Sequence, residues 1–322
     1  MPKQSCIIDQ SNCTISLVKT RSKKKLKLFF CKNCDFEFFL HNPKKNLAKN
    51  KLDISRLKKA GLNIPNLRED FKNGLNQSKT YIEKYIKKGD RGKNILEVGS
   101  SWGYFLYFLK KKGCIPFGLE INNIRSSYIR SKFKIRCDSS LQKIENEGIK
   151  FKKIFLFYVL EYIPDPKTYV TRLIKLLDKR GSIIIYTPNK NDVLKDLLKS
   201  REYLNFFYDE NSINYFSQKS LINLMKMINI KKYKLNSHQG YSIANFFNWH
   251  LNKSPRQTGM VGGDYFIDKL VEFLISLNKS KKERFKEGRK KIINFLLRIN
   301  SEYKKILKKQ NIGNQIILEI KK

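Results

Sequence analysis

The stretch that most constrains this chain is Ile95-Leu96-Glu97-Val98-Gly99-Ser100-Ser101-Trp102-Gly103-Tyr104-Phe105-Leu106. A short apolar strand runs into a glycine-bearing loop, and an apolar helix follows from Tyr104 to Leu109 before a stop at Gly113. Gly99 and Gly103 let bare backbone and a helix N-terminus come up against a ligand, because no bulky Cβ stands in the way. A second acidic strand end, Ile115-Pro116-Phe117-Gly118-Leu119-Glu120, follows the loop by about twenty residues, where a doubly wound sheet uses a carboxylate to accept hydrogen bonds from a ribose diol. Glu97, Gly99, Gly103 and Glu120 together point to a nucleoside ligand. The bland alternative is a plain turn at the two glycines and a solvated strand end at Glu120.

The 322 residues suffice for one large domain and a smaller one, and 41% hydrophobic content with 12% aromatics indicates a globular chain. Lys and Arg number 67 against 28 Asp and Glu, a net charge of +39. Soluble domains are usually designed with a charge of magnitude about 2 to 8. Such a field attracts phosphates, anionic glycans, acidic lipid surfaces or nucleic acid without choosing among them. No apolar run reaches the length needed to cross a bilayer and the N-terminus lacks a secretory core, so the expected location is cytoplasmic. In that reducing compartment the six cysteines read as thiols or metal ligands.

Residues 1–43 read as a small separate unit. Cys31-Lys32-Asn33-Cys34 forms a CxxC knuckle after the strand-like Leu26 to Phe30, with Cys6 and Cys13 upstream as a second pair. Four thiolates close a tetrahedral zinc site and hold together a segment too short for its own core. The spacing of Cys6 and Cys13 is wider than usual, and Asp35 stands where knuckles often place glycine; simple buried thiols are the alternative. Residues 44–90 are rich in lysine and asparagine and are expected to form a helical linker or lid, with Phe71, Leu75, Tyr81, Ile82, Tyr85 and Ile86 as its apolar positions. Tyr81 is a candidate lid residue as well as a core one.

After Glu120 a polar helix over 123–132 and a strand over 134–137 lead to Asp138, either a ligand contact or the cap of the next helix. Ile154 to Leu160 is an unbroken apolar run, as a central parallel strand demands. Pro164-Asp165-Pro166 turns the chain into a helix over 167–178, and a strand over 182–186 ends at Thr187-Pro188-Asn189. A helix over 218–227 capped by Ser217, a strand over 231–241, lysine-heavy helices over 265–310 and a final strand over 314–322 complete the chain. The lysine-heavy helices carry apolar stripes through Phe266, Leu270, Phe273 and Leu274 and through Ile292, Ile293, Leu296 and Leu297. Burial against the domain is the expected use of such a stripe; lying on an anionic membrane is the other.

Glu97-x-Gly99-x-x-x-Gly103 with Glu120 resembles the class I S-adenosylmethionine-dependent methyltransferases, whose first motif runs acidic-x-Gly-x-x-x-Gly and whose second strand ends in an acidic residue. Leu160-Glu161 and Asp165-Pro166 match that family's Leu-Glu-His-x-x-Asp-Pro phrase, with Tyr162 at the histidine and lysine at 152 and 153 where an acid usually opens the strand. Residues 206–217 resemble a phrase close to Glu-His-Ile-Asn-Tyr-Phe-Ser, with Ser212 at its histidine, and residues 241–249 a Ser-Leu-x-Asn-x-x-x-Trp segment. Residues 31–43 are similar to the ribbon end that precedes the catalytic domain in bacterial methyltransferases of sugar and polysaccharide pathways.

The resemblance implies an α/β fold: a Rossmann-like seven-stranded sheet with helices on both faces over 91–322, a helical insertion at about 249–311, and the zinc-ribbon-like unit in front. It implies S-adenosylmethionine as cofactor, with Glu97 among its binding residues, Gly99, Ser100 and Gly103 holding its amino-acid portion, Glu120 its ribose and Asp138 its adenine. Structural zinc at Cys6, Cys13, Cys31 and Cys34 accompanies it. Tyr158, Glu161 and Tyr162 are the candidates for orienting the acceptor, and His238 and His250 are the nearest histidines to the cleft once His41 is assigned to the ribbon. A small or glycan-type acceptor is preferred, a nucleotide sugar or surface-polysaccharide precursor; RNA or protein methylation, or a scaffold of the same fold without turnover, are the rivals. No RNA-binding module or base-flipping tetrad is present to favour nucleic acid.

Overall fold

The computed structural model of the chain describes residues 4–40, 67–253 and 283–322. His41 and the stripe through Phe266, Leu270, Phe273 and Leu274 lie outside the described residues, as does the first half of the segment read as a linker.

The central strands are β4 (Asn94–Val98), β5 (Ile115–Leu119), β6 (Arg136–Asp138), β7 (Phe151–Phe157), β8 (Leu177–Pro188), β10 (Tyr233–His238) and β11 (Gln315–Lys321). They form one sheet in the order β10-β11-β8-β7-β4-β5-β6. The five strands from β8 to β6 are parallel, and β11 runs antiparallel to both β8 and β10. The last strand does not add to the sheet's edge but slots between β8 and β10, pairing Ile317 with Tyr186 on one side and Asn236 on the other. Ile316, Leu318 and Ile320 are buried on one face of this strand, which is the apolar gain that draws it inside.

The sheet is covered on both faces. Alternation along β7 sorts its residues: Ile154 and Leu156 join one core, Phe155 and Phe157 the other. The first face carries α4 (Leu141–Asn146), α5 (Pro166–Lys175) and α7 (Gln218–Met227), through Ile144, Leu173 and Leu224 among others. The second carries α1 (Leu67–Tyr85) and α2 (Tyr104–Lys111), through Ile82, Phe105 and Leu109. Each fully buried Leu or Ile contributes about 1.5–3 kcal/mol. The helix expected over 123–132 ends as α-helix at Tyr128 (α3, Asn123–Tyr128) and continues as a π turn to Phe133, where Lys134 takes a left-handed φ. The helix expected to reach Asp178 stops at Lys175, because Leu177 already pairs with Phe151 and β8 begins there.

The N-terminal residues form β1 (Thr14–Lys19), β2 (Lys25–Cys31) and β3 (Phe36–Phe38), an antiparallel sheet whose fourth strand, β9 (Asn214–Tyr215), comes from the catalytic part of the chain. Phe36, Phe38 and Phe216 stack at 5.1–5.4 Å across this seam. Asp35 adopts φ +54°, the conformation that explains why glycine is common at this position of a knuckle. Its carboxylate accepts from Lys190 Nζ at 2.7 Å and Asn191 Nδ2 at 2.9 Å, which holds the residue there and keeps the carboxyl ionised below its ordinary range despite burial. Lys195 pairs with the neighbouring Glu37 at 2.9 Å. The far side of the catalytic part carries α6 (Arg201–Phe207), α8 (Ile243–Asn252) and α9 (Glu283–Lys309).

Candidate active site

The site lies at the carboxyl ends of the parallel strands, where the strand order reverses beside β4. Gly99 and Gly103 have φ of +73° and +76°, and Ser101 between them is also left-handed at +48°. A Cβ on Gly99 would meet Val159 Cγ2 at 2.5 Å, and one on Gly103 would meet Ile129 Cγ1 at 2.7 Å. Neither a side chain nor an ordinary backbone angle is tolerated at these two places. Gly103 is the residue from which α2 starts, so the loop aims a helix N-terminus at the space above β4.

Glu120 closes the loop. Its side chain is buried, with Oε2 accepting from Ser101 N and Oε1 from Asn122 N, both at 2.8 Å. A carboxylate oxygen has room for two hydrogen bonds, so each keeps capacity for another donor. Glu97 lies buried beside it, and its Oε2 has no hydrogen-bond partner. Burial, and then the charge of Glu120, push the Glu97 carboxyl well above its ordinary range. An orphaned carboxylate oxygen, a two-glycine cradle and a second carboxylate with free lone pairs fit a ligand carrying sugar hydroxyls and a cationic group.

Two expected residues are used differently. The backbone N–H groups of Gly99 and Ser100 both donate to Leu119 O, at 2.7 and 3.2 Å, and the Ser100 hydroxyl donates to Glu97 O at 2.9 Å. Ser100 thus has no donor left for a ligand and serves to shape the loop. Asp138 pairs with Arg136 Nε at 2.8 Å and takes no part in capping; Ser140 caps α4 by accepting from Gln142 N. Its backbone carbonyl accepts from Glu120 N at 2.9 Å, which brings Asp138 to the edge of the loop. Sequence reading missed Ile121, which follows Glu120 and is 50% exposed. An apolar residue just past an acidic strand end was the available signal.

The other wall comes from the end of β7. Tyr158 takes φ +58°, a costly angle for a non-glycine residue and one that is found at functional sites. Its neighbour Phe157 stacks on Tyr81 of α1 at 4.2 Å, and Tyr81 is within hydrogen-bonding reach of Tyr158. Burial raises the Tyr81 phenol to about 12 and the Tyr158 phenol further. Tyr81 thus packs on the end of β7 and meets Tyr158 there. Lys84 and Tyr85 reach Tyr186 from the same helix, at 3.0 and 2.7 Å.

Glu161 sits in the turn after β7, 2% exposed, and accepts from Thr187 Oγ1 at 3.3 Å. Burial raises its carboxyl to about 8, against the lowering effect of hydrogen bonds from its own backbone and from Thr187. Its backbone carbonyl accepts from Ile213 N at 2.9 Å, which joins the turn to β9. Tyr162 and Ser212, the two positions that hold histidine in the resembled phrases, are within hydrogen-bonding reach of each other. His238 is exposed at the end of β10, two strands from Pro188, roughly 10 Å at the usual strand spacing. His250 is exposed near the end of α8.

In the N-terminal unit Cys6, Asp9, Cys31 and Cys34 offer ligand atoms within 4.8 Å of one another. The sulfurs of Cys6 and Cys34 are 3.4 Å apart, close to the roughly 3.8 Å that a tetrahedral zinc with bonds of about 2.3 Å sets between thiolates. Of the four cysteines expected as ligands, Cys13 lies just outside this cluster, half-buried and within reach of Cys31, while Asp9 stands within it. The cause is local, since Cys13 N donates to Gln4 O and leads directly into β1, whereas the turn after Cys6 folds Asp9 back over Cys31. Asn33 and Ser11 hold the Asp9 carboxylate at 2.6 Å each.

Residues 73–234 match the profile of a family described as a methyltransferase domain, and the chain belongs to that family. It is an S-adenosylmethionine-dependent methyltransferase. No curated protein matches the chain. Among solved structures it is similar to a SAM-dependent methyltransferase from Archaeoglobus fulgidus, with 15% identity, 80% of this chain and 98% of that one covered and a TM-score of 0.46. A possible histamine N-methyltransferase from Thermotoga maritima is similar at 12% identity, 87% and 99% coverage and a TM-score of 0.44. A plantazolicin methyltransferase solved in complex with SAH is similar at 13% identity, 87% and 95% coverage and a TM-score of 0.45. Among the described residues no helix is long and apolar enough to cross a membrane.

Proposed function

We propose that this enzyme methylates a small or glycan-type acceptor, a nucleotide-linked sugar or a surface-polysaccharide precursor. The observation that carries the donor side of this reading is the pairing of Glu120 with the loop through Ser101 at 2.8 Å, which puts a buried carboxylate beside the glycine cradle. Glu120 would hold the ribose hydroxyls of the methyl donor, Gly99 and Gly103 would admit its backbone-facing atoms, and Glu97 would receive its cationic amino-acid end. Asp138 and Ile121 would border the adenine.

When bound, S-adenosylmethionine supplies a methyl group made electrophilic by the sulfonium. The protein's share is positioning and exclusion of water: Val159, Tyr158 and Tyr81 close the wall against which the acceptor lies. Glu161, at the turn after β7 where the β8 partner Thr187 meets it at 3.3 Å, would be the candidate to take the acceptor's proton, its carboxyl raised to about 8 by burial. Tyr162 and Tyr158 would orient the acceptor by hydrogen bonding. The basic surface suits an acceptor that carries phosphates. Zinc held by Cys6, Cys31 and Cys34 with Asp9 would be structural, bracing the sheet that ends in β9.

Calorimetry with S-adenosylmethionine and its demethylated product tests the donor site, and binding of neither would remove the reading. Incubation of the enzyme with labelled donor and a panel of nucleotide sugars, glycan extracts and total RNA then identifies the acceptor. Label found in RNA alone would overturn the glycan assignment.

A further inference from the structure

Helix α9 presents apolar surface that the other described residues leave exposed. Its inward face contributes Asn300 and Leu307 to the interior, whereas Ile292, Phe295 and Ile306 are 52–58% exposed along an adjacent edge. The spacing 292, 295, 299, 306 places these side chains on one stripe. Ile299 and Ile306 line a shallow cavity of about 300 Å³ that they share with Ile243 at the start of α8. From Ile243 the spacing of four continues to Phe247, 52% exposed, and Leu251, 73% exposed.

Cations border this ledge: Lys291, Arg298, Lys305 and Lys309 flank the stripe on α9, and all are exposed. The Arg298 guanidinium lies over the Phe295 ring at 5.9 Å, so charge and apolar surface are presented together. The acids facing the ledge are already paired: Glu302 with Lys305 at 2.7 Å and Glu287 with Lys291 at 2.9 Å.

We propose that the α8–α9 ledge docks the enzyme on an anionic lipid surface. A helix with an exposed apolar edge and a lysine-rich flank lies in the plane of a bilayer, its apolar residues among the acyl chains and its cations at the headgroups. The net charge of +39 opposes a second copy of the chain as occupant, since like-charged faces repel, and matches the negative potential of acidic lipids.

Vesicle flotation of the full-length protein tests this with phosphatidylcholine vesicles with and without phosphatidylglycerol. The protein is expected to float with the anionic vesicles only, and less so at high salt. Phe295→Ser combined with Leu251→Ser is expected to lower partitioning by about ten-fold. Lys291→Gln and Arg298→Gln are expected to lower it by roughly five-fold each. All four substitutions fall at exposed positions, so wild-type melting temperatures are expected. Failure to float with anionic vesicles overturns the proposal, as does equal flotation by the variants. A dimer that disappears in Phe295→Ser would assign the ledge to a second copy, and a melting temperature lowered by that variant would assign it to packing within the chain; either overturns the proposal.

Discussion

The backbone N–H of Ser101 donates to Glu120 Oε2 at 2.8 Å, so one carboxylate ties the loop after β4 to the end of β5. Truncating it therefore does two things. Glu120→Ala is expected to lower affinity for S-adenosylmethionine by about two orders of magnitude, the worth of two hydrogen bonds to a charged group. It also leaves the N–H groups of Ser101 and Asn122 without acceptors, at a cost of about 1–3 kcal/mol, while the fold persists. Calorimetry and thermal melting measure the two effects separately, and unchanged donor affinity would contradict the ribose assignment.

Gly99→Ala is expected to be costly for two separable reasons. The left-handed backbone adds about 1–2 kcal/mol, and the new Cβ would lie 2.5 Å from Val159 Cγ2. Adding Val159→Ala relieves the clash and leaves the backbone term. Recovery of part, and only part, of the lost melting temperature in the double variant is the expected result.

Glu161 gives the enzyme a signature in pH. Its carboxyl is raised from 4.5 to about 8, so it binds a proton more tightly folded than unfolded, and its contribution to stability is lost as pH rises across that interval. Thr187 is its hydrogen-bond partner, and Tyr158 and Tyr162 feel its charge. Glu161→Gln is expected to flatten the fall in melting temperature between about pH 5 and 8. If the carboxylate is the base, the methyl-transfer rate of the wild type rises with pH through about 8, and the variant retains one part in 10² to 10⁴ of it without that rise.

Metal removal is expected to act on the acceptor side. The cluster of Cys6, Asp9, Cys31 and Cys34 braces β2 and β3, β3 pairs with β9, and Ile213 next to β9 holds Glu161. Metal analysis is expected to find zinc, and a chelator to lower the melting temperature and slow transfer while leaving donor affinity nearly unchanged. Asp9→Asn is expected to weaken metal retention more than Cys13→Ser; the reverse order would restore the all-cysteine set.

Cutting the link between the two sheets tests the same route from the other end. Lys190→Met takes the cation away from the half-buried Asp35 carboxylate, which keeps Asn191 and Ser217, and from the buried Glu37 beside it. A loss of about 1–3 kcal/mol is expected, as for hydrogen bonds to a charged group lost where other donors remain, and chemical denaturation measures it.

The local order of residues was enough to determine the strand, loop and helix around Gly99 and Gly103, the buried apolar run of β7, and the CxxC knuckle, because each is a short-range pattern whose physics needs only its neighbours. The sheet and its methyltransferase class were legible on that basis. What lies far apart in the chain was not. Only the tertiary structure decided that Glu97 is left with an unpartnered oxygen, that Asp9 gathers with Cys6, Cys31 and Cys34, that Tyr162 meets Ser212, and that β11 enters between β8 and β10. Asp35 shows the division within a single residue: its departure from glycine is visible in sequence, but the Lys190 that makes a left-handed aspartate tolerable is 155 positions away and is brought near only by folding.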